Sequence, residues 1–94
     1  MQQDQAEALA VQALAFIASD PELLPRFLSL TGIEADQIRQ AAREPGFLAG
    51  VLQFILAHEP TLIRFSEETQ TDPALVSRAL NALPFGDNRY EQSI

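Results

Sequence analysis

The sequence segment that most constrains the fold is the apolar run from Pro45 to His58, PGFLAGVLQFILAH. Its only strongly polar side chains are Gln53 and the terminal His58. A helix that crosses a bilayer needs about 20 apolar residues, so this run is too short to span one. A helix that is apolar around most of its circumference is typical of the buried centre of a small domain. We therefore expect the other segments of the chain to pack around it.

Length and composition predict a single all-α domain. With 94 residues, of which 47% are hydrophobic and 20% charged, the chain has the composition of a globular protein with one core. We expect a compact bundle of five to six short helices over residues 1–84. Residues 85–94 are expected to form a poorly ordered tail, in which Phe85 and Tyr90 are the side chains suited to docking on the domain.

Acidic residues directly precede four of the six prolines, and each pair stands where a helix is expected to begin. Proline at the first helical position gives up an N–H that has no partner there, and an acid complements the helix dipole. In the second helix, Pro25 would crowd the carbonyl of Pro21, so we expect regular helix only from Pro25 onward. The apolar spacing then predicts helices at residues 4–18, 25–30, 35–43, 45–58, 59–70 and 73–83.

An internal repeat is found when the sequence is compared with itself at an offset of 38 residues. Eight aligned pairs are identical, against roughly two expected by chance for this composition. This predicts two related three-helix halves, Ala6–Arg43 and Pro45–Leu83, packed on each other. The alternative is that two unrelated amphipathic helix pairs of similar length align equally well. The identical pairs are Leu14/Leu52, Phe16/Phe54, Ile17/Ile55, Leu24/Leu62, Arg26/Arg64, Phe27/Phe65, Thr31/Thr69 and Ala41/Ala79, and we expect Phe16 and Phe54 to be buried in comparable places.

The charge balance excludes several classes of partner. The net charge is −7, and all six basic residues are arginines, with no lysine. Non-specific binding to nucleic acids or to anionic membranes depends on clustered basic residues, so we expect neither partner. The chain contains no cysteine, which excludes disulfides, thiolate catalysis and Cys-ligated metal. The first ten residues lack the basic and apolar pattern of a secretory signal, which favours a cytoplasmic location.

The candidates for catalysis have simpler explanations. His58, the only histidine, lies beside Glu59, but a general base also needs a nucleophile or an oriented substrate, and a metal site needs several ligands. We favour a histidine placed at the negative end of a helix dipole. Glu67 and Glu68 would point about 100° apart on a helix and could not share a proton. We predict that the protein is not an enzyme and has no catalytic, metal or cofactor-binding residues.

Two arginines occupy the same place in the repeat. Arg26 and Arg64 each follow the pattern Leu-x-Arg-Phe, and the guanidinium group of either would suit a carboxylate or a phosphate. Glu22 lies four residues before Arg26, and Glu68 lies four residues after Arg64. Since residues four apart are neighbours on a helix, we favour ordinary ion pairs within each helix.

The segment Pro73 to Asn81, PALVSRALN, resembles the recognition helix of lac-repressor-type helix-turn-helix proteins. The resemblance implies that Ser77 and Arg78 would face DNA. Gln70 stands where such proteins normally have a glycine in the turn. Nearby acidic residues would approach the phosphates, so the charge term that dominates non-specific affinity has the wrong sign.

Three longer segments point to one protein family. They are ALAFIASDPELLPRFLSLTGI, FLAGVLQFILAHEPTLIRF and DPALVSRALNALP, at residues 13–33, 47–65 and 72–84. Together they resemble a family of short bacterial proteins known as domain of unknown function 3572, and the resemblance extends from Ala6 to Pro84. It implies a small, cytoplasmic, all-helical protein. It implies no activity, cofactor or site residue.

Three functional classes follow from these observations. The first is a non-catalytic protein-interaction module, with a protein partner or self-association expected, because the chain has ample apolar surface and no assembled reactive group. The second is a helix-turn-helix regulator that uses Pro73 to Asn81. The third is a binder of small apolar ligands, in a cavity beside the small residues Gly46, Ala49 and Gly50.

Overall fold

The computed structural model describes residues 1–84, and the expectation for the tail at residues 85–94 lies outside them. The described residues form six α-helices and no strand, which confirms the predicted all-α single domain. A single 3-10 turn, Ala35–Gln37, leads directly into the third helix. The helices are α1 (Gln3–Ala18), α2 (Leu23–Thr31), α3 (Ile38–Ala41), α4 (Pro45–Leu56), α5 (Glu59–Thr69) and α6 (Pro73–Ala82).

Helices α1 and α4 pack on each other at the centre of the domain, and α6 packs against both. Helix α2 covers α1, and α5 covers α4. The Cα radius of gyration of 12.5 Å is that of a compact domain of this length. The apolar run of α4 contributes five residues to the core, which confirms its predicted central place; they are Leu48, Ala49, Val51, Leu52 and Ile55.

Helix α2 begins at Leu23, two residues before the predicted start at Pro25. Pro25 is the third residue of this helix, where an N–H would have no partner inside the helix, so its missing donor costs nothing. The Asp20 carboxylate accepts the N–H groups of Glu22 and Leu23 at 2.8 and 2.9 Å and caps the turn that leads into the helix.

Helix α4 ends at Leu56 rather than at the predicted His58. His58 is instead the N-cap residue of α5, with an extended backbone. The prediction that this histidine complements the C-terminal end of a helix dipole was therefore wrong. The chain turns at Ala57 and His58, and Pro60 lies in the first turn of the new helix, where its missing N–H has no partner.

The 38-residue repeat recurs in the helix ends. Helices α2 and α5 end at equivalent threonines, Thr31 and Thr69, whose hydroxyls donate to the Phe27 and Phe65 carbonyls at 2.9 and 2.7 Å. The next residue is left-handed in both cases, with φ of 77° at Gly32 and 54° at Gln70. Because glycine adopts this conformation cheaply and glutamine does not, sequence alone indicated it only in the first half.

Aromatic contacts cross between the two halves in equivalent pairs. Phe65 packs edge-to-face on Phe16 with ring centroids 5.4 Å apart, and Phe27 packs on Phe54 at the same distance. Phe16 is buried and Phe54 is half-buried. The predicted equivalence of Phe16 and Phe54 is thus confirmed in position, while the degree of burial differs.

The two halves differ most in their third helical segment. Residues 35–41 form a short 3-10 turn and a single turn of α-helix, with no buried side chain. The equivalent α6 is longer and buries Val76 and Ala79. The predicted helix over residues 35–43 was too long, and its apolar side chains Ile38, Ala41 and Ala42 are only half-buried. The repeat explains the difference, because Gln37 and Ala42 replace the larger apolar residues Leu75 and Leu80 of α6.

Burial in α5 does not follow the hydrophobicity of its side chains. Ile63 of α5 is 46% exposed, while Thr61 of the same helix is buried. Thr61 falls on the inward face, one helical turn before Phe65, so position rather than hydrophobicity decides its burial.

Candidate binding surfaces

Arg64 holds the two halves together at the start of α2. Its guanidinium group forms an ion pair with Asp20, lies 3.6 Å from the Glu68 carboxylate, and sits over the Phe16 ring at 5.2 Å from the centroid. The predicted pair with Glu68 is confirmed. The pair with Asp20 was missed because 44 residues separate the partners, and helical spacing reveals only local pairs.

The contacts of Asp20 favour its charged form strongly. The hydrogen bond from Arg64, followed by those from the N–H groups of Leu23 and Glu22, lowers the pKa of Asp20 to about 2. The same pair raises the pKa of Arg64. The Asp20 side chain is 13% exposed, so the carboxylate is partly shielded from water. It therefore stays ionised at any physiological pH.

Arg26 occupies the equivalent place without an equivalent partner. It lies over the Phe54 ring at 5.8 Å from the centroid, as Arg64 does over Phe16. Within residues 1–84, no carboxylate oxygen lies within 4 Å of its guanidinium group, so the predicted pair with Glu22 was wrong. Glu22 is the N-cap residue of α2 and its side chain is exposed to solvent.

A shallow depression of about 160 Å³, called here the basic depression, lies between the starts of α2 and α5. From the first half it is lined by Glu22, Leu23 and Arg26. The second half contributes His58, Pro60, Thr61 and Arg64. Two of the five arginines among residues 1–84, together with the single histidine, thus line this depression on a protein whose net charge is −7.

His58 contacts a threonine and not the neighbouring acid. Its Nδ1 lies 2.7 Å from the Oγ1 of the buried Thr61, whereas Glu59 is exposed in the first turn of α5. No group of three or more potential metal ligands is found among residues 1–84. The ring is thus held by α5 at the edge of the basic depression.

A second depression, called here the apolar groove, lies between the end of α1, the start of α2 and the 3-10 turn. Its volume is about 480 Å³. In the second half, Leu56 stands at the position equivalent to Ala18 and packs against the core. The groove is therefore open where the first half has the smaller side chain. Its lining residues are Ala18, Leu24, Ala35, Asp36, Ile38 and Arg39.

Helices α5 and α6 are joined as in a helix-turn-helix motif, by the three residues Gln70 to Asp72. The Asp72 side chain accepts the N–H of Ala74 at 2.9 Å and caps α6. Ser77 and Arg78 are exposed on this helix. The acidic side chains of Glu67 and Glu68 are also exposed, on the preceding helix.

Comparison with known proteins gives one match. A family model described as "Protein of unknown function (DUF3572)" matches residues 3–86. The chain belongs to this family. All six helices lie within the match, which confirms the resemblance drawn from the sequence. No curated protein and no solved structure matched the chain.

The small residues of α4 do not line any of the depressions described for this DUF3572 protein. Neither the basic depression nor the apolar groove includes Gly46, Ala49 or Gly50. Ala49 is buried in the core. A Cβ atom built on Gly50 would meet no atom within 4 Å, so no neighbouring backbone approaches closely there. Gly50 therefore does not mark a close approach between two helices.

No single helix among residues 1–84 of the DUF3572 protein is long and apolar enough to cross a membrane. Helices α4 and α5 meet the length and composition criteria only as a pair, and the two are bent by 105° at their junction.

Proposed function

We propose that this DUF3572 protein is a non-catalytic protein-interaction module, whose partner places an apolar side chain in the apolar groove. One observation carries the proposal. The first half leaves open, at Ala18, a site that the second half fills with Leu56. The proposal keeps the prediction of a protein partner and no enzymatic activity. A cytoplasmic location stays a prediction.

Comparison of the two halves indicates how much folding free energy the isolated protein loses by leaving the groove open. A leucine at position 18 would add three carbon atoms, and burying each methylene group contributes about 0.8 kcal/mol. Natural proteins commonly forgo such stabilisation where a surface is needed for binding. A partner that fills the groove would gain the same free energy on association.

The second half also indicates the chemistry of the occupant. Leu56 is the last residue of α4 and packs as an aliphatic side chain presented by a helix. We therefore expect the partner to present a leucine-sized aliphatic side chain from a helical segment. Asp36 and Arg39 line the groove beside its apolar residues, so both signs of charge are available to fix the orientation of that segment.

Two matched variants test the proposal. Ala18→Leu fills the groove from within, and Ala15→Leu adds the same side chain at another exposed position of α1, outside the groove. Each purified protein is used as bait, captured proteins are identified by mass spectrometry, and their affinities are measured. Wild type and Ala15→Leu should capture the same partner, and Ala18→Leu should lose it. Sedimentation of the three proteins at high concentration tests whether that partner is a second copy.

The proposal fails if Ala18→Leu binds every captured protein as tightly as Ala15→Leu does. It also fails if neither wild type nor Ala15→Leu captures a partner and both sediment as monomers. Circular dichroism and thermal unfolding of the variants test whether each is folded, which separates lost binding from lost structure.

DNA binding is a second candidate function, favoured by one observation. Gln70 adopts the left-handed conformation, with φ of 54°, at the turn position that the helix-turn-helix resemblance assigns to glycine. Arg78 is exposed on α6, as that arrangement requires. The net charge of −7 opposes it.

Fluorescence anisotropy with mixed-sequence duplex DNA at about 50 mM salt separates the two functions. Saturable binding that is lost in Arg78→Ala and kept in Arg39→Ala would support DNA binding. If no binding is seen at this salt concentration, the DNA-binding hypothesis is excluded, because non-specific affinity for DNA is strongest at low salt.

A further inference from the structure

Two equivalent places in the repeat have an arginine in common and differ in the residue beside it. Position 58 is the repeat equivalent of position 20, and Arg26 is the equivalent of Arg64. In one pair, the Asp20 carboxylate binds Arg64 across the halves. In the other pair, His58 faces Arg26 across the basic depression and supplies no carboxylate.

We infer that the basic depression binds a carboxylate group between Arg26 and His58, in the position that the Asp20 carboxylate holds towards Arg64. The Asp20–Arg64 contact is an internal example of the interaction, built on the same scaffold with the same stacked phenylalanine. This site is separate from the apolar groove, so the inference does not rest on the proposed function.

Arg26 is prepared for such a ligand. Its guanidinium group presents paired donors that match a carboxylate, and the Phe54 ring beneath it limits its orientations. Within the described chain it has no ion-pair partner, so binding would not require breaking one. Arg64, by contrast, is already occupied by Asp20 and Glu68.

His58 adds a second donor towards the depression. Its Nδ1 lies 2.7 Å from the Thr61 hydroxyl, whose side chain is buried with a residual exposure of 4%. When that hydroxyl donates to Nδ1, the neutral ring carries its proton on Nε2, which can then donate to a ligand. Glu22 also lines the depression, and its negative charge opposes further anions. We therefore expect the site to bind one anionic group rather than several.

The size of the depression restricts the ligand to a small acidic head group. The depression has a volume of about 160 Å³. The carboxylate of a free small acid and the side chain of a glutamate on a partner both fit this limit. The shared chemistry is the carboxylate, and the experiment separates the two sources.

The test is an NMR titration that follows the Arg26 Nε–Hε signal and the ring signals of His58. The probes are sodium acetate, a blocked glutamate peptide and its glutamine counterpart, each against sodium chloride at constant ionic strength. Wild type should show a saturating shift with at least one carboxylate probe and none with the glutamine peptide. Acetate binding as tight as peptide binding identifies a free small acid, and tighter peptide binding identifies a partner's side chain.

Three variants decide whether the site is the one described. Arg26→Gln removes the main donor, and His58→Asp supplies the carboxylate from within the chain. Both should weaken carboxylate binding by about tenfold or more, the effect of losing a hydrogen bond to a charged group. Arg43→Gln removes an exposed arginine that lines neither depression and should bind as wild type does.

The His58→Asp variant keeps the test decisive, because it should fold at least as well as wild type. Retained carboxylate binding in His58→Asp or in folded Arg26→Gln would overturn the inference. So would equal shifts with chloride and with both carboxylate probes, which would show ionic screening alone.

Discussion

The first half of the molecule and the second half share one crossed pair of aromatic contacts and differ in their polar contacts. In each half, a phenylalanine of the second helix packs on a phenylalanine of the other half, and an arginine lies over that ring. Asp20 then neutralises Arg64, whereas no carboxylate among residues 1–84 pairs with Arg26, which has His58 at the equivalent place. The third segment also differs, being short in the first half and a full helix in the second.

These differences separate the residues that maintain the fold from those available for binding. The crossed aromatic pairs are common to both halves, so packing explains them in both places. At two pairs of positions that the repeat makes equivalent, the residues differ: Asp20 corresponds to His58, and Ala18 corresponds to Leu56. Both of the depressions described above lie at such positions, which is why they are the candidate binding surfaces.

The largest expected effect tests the shared aromatic contacts. Phe27 and Phe65 are each at most 1% exposed and occupy equivalent places. Phe27→Ala and Phe65→Ala should each lower the free energy of unfolding by about 3–5 kcal/mol, through lost burial and the cavity left behind. Urea unfolding measures both values, with Ile63→Ala as an exposed control. A cost near 4 kcal/mol in one variant and below 1 kcal/mol in the other would break the equivalence.

A smaller effect tests the difference between the third segments. Val76 is fully buried in α6, whereas its equivalent Ile38 is half-buried. Val76→Ala should cost about 2 kcal/mol, from two buried carbon atoms and a residual cavity. Ile38→Ala should cost about 1 kcal/mol although it removes one more carbon, because that side chain is partly in water already. The same unfolding assay compares them, and a larger cost for Ile38→Ala would contradict the described packing.

The substitution His58→Asp places in the second half the residue that the first half has at the equivalent position, Asp20. His58 is the N-cap residue of α5 and makes no capping hydrogen bond from its side chain. His58→Asp should raise the free energy of unfolding by about 1 kcal/mol, since aspartate is among the best N-cap residues. His58→Ala serves as the control, because it removes the histidine without adding a cap. A lower stability for His58→Asp than for His58→Ala would show that positions 20 and 58 are not equivalent.

The smallest effect is the dependence on pH that the Asp20–Arg64 pair should produce. The pKa of Asp20 is lowered to about 2 in the folded protein, from an ordinary value of 3.8. A lowered carboxyl pKa stabilises the folded state fully above the ordinary pKa, and the contribution is lost as the pH falls from about 4 towards 2. Wild type should therefore be more stable than Asp20→Asn near neutral pH, and the difference should narrow in acid. Urea midpoints across this range measure it, and a constant difference would contradict the assignment.

Much of the fold follows from local sequence rules. Apolar spacing and the acid-proline pairs predicted all six helical segments, because helix starts depend on residues close together in the chain. The errors lie where tertiary context decides. Pro25 was expected to delay α2, but at the third helical position its missing N–H has no consequence. Residues 35–41 form a 3-10 turn and a single helical turn with no buried side chain, and local spacing does not predict how little of this segment the core covers.

The candidate surfaces were only partly predictable. The repeat had already aligned Arg26 with Arg64, and it could have revealed that Asp20 aligns with His58. The Asp20–Arg64 pair itself joins residues that are distant in sequence, and no helical periodicity predicts such a contact. The apolar groove is open because Ala18 has only a small side chain. The sequence does not reveal the groove, because its neighbours Leu24 and Ile38 are brought beside Ala18 only by the fold.

The most direct test of the whole account is the NMR spectrum of the arginine side chains in wild type and in His58→Asp. In wild type, the Nη–Hη signal of Arg64 should exchange slowly with water, because its Nη2 donates to the Asp20 carboxylate, and the corresponding signal of Arg26 should exchange quickly. In His58→Asp, the two signals should become alike, since a carboxylate then faces each arginine. If the Arg26 signal does not respond to the new carboxylate, positions 26 and 58 do not repeat the geometry of positions 64 and 20, and the account is contradicted.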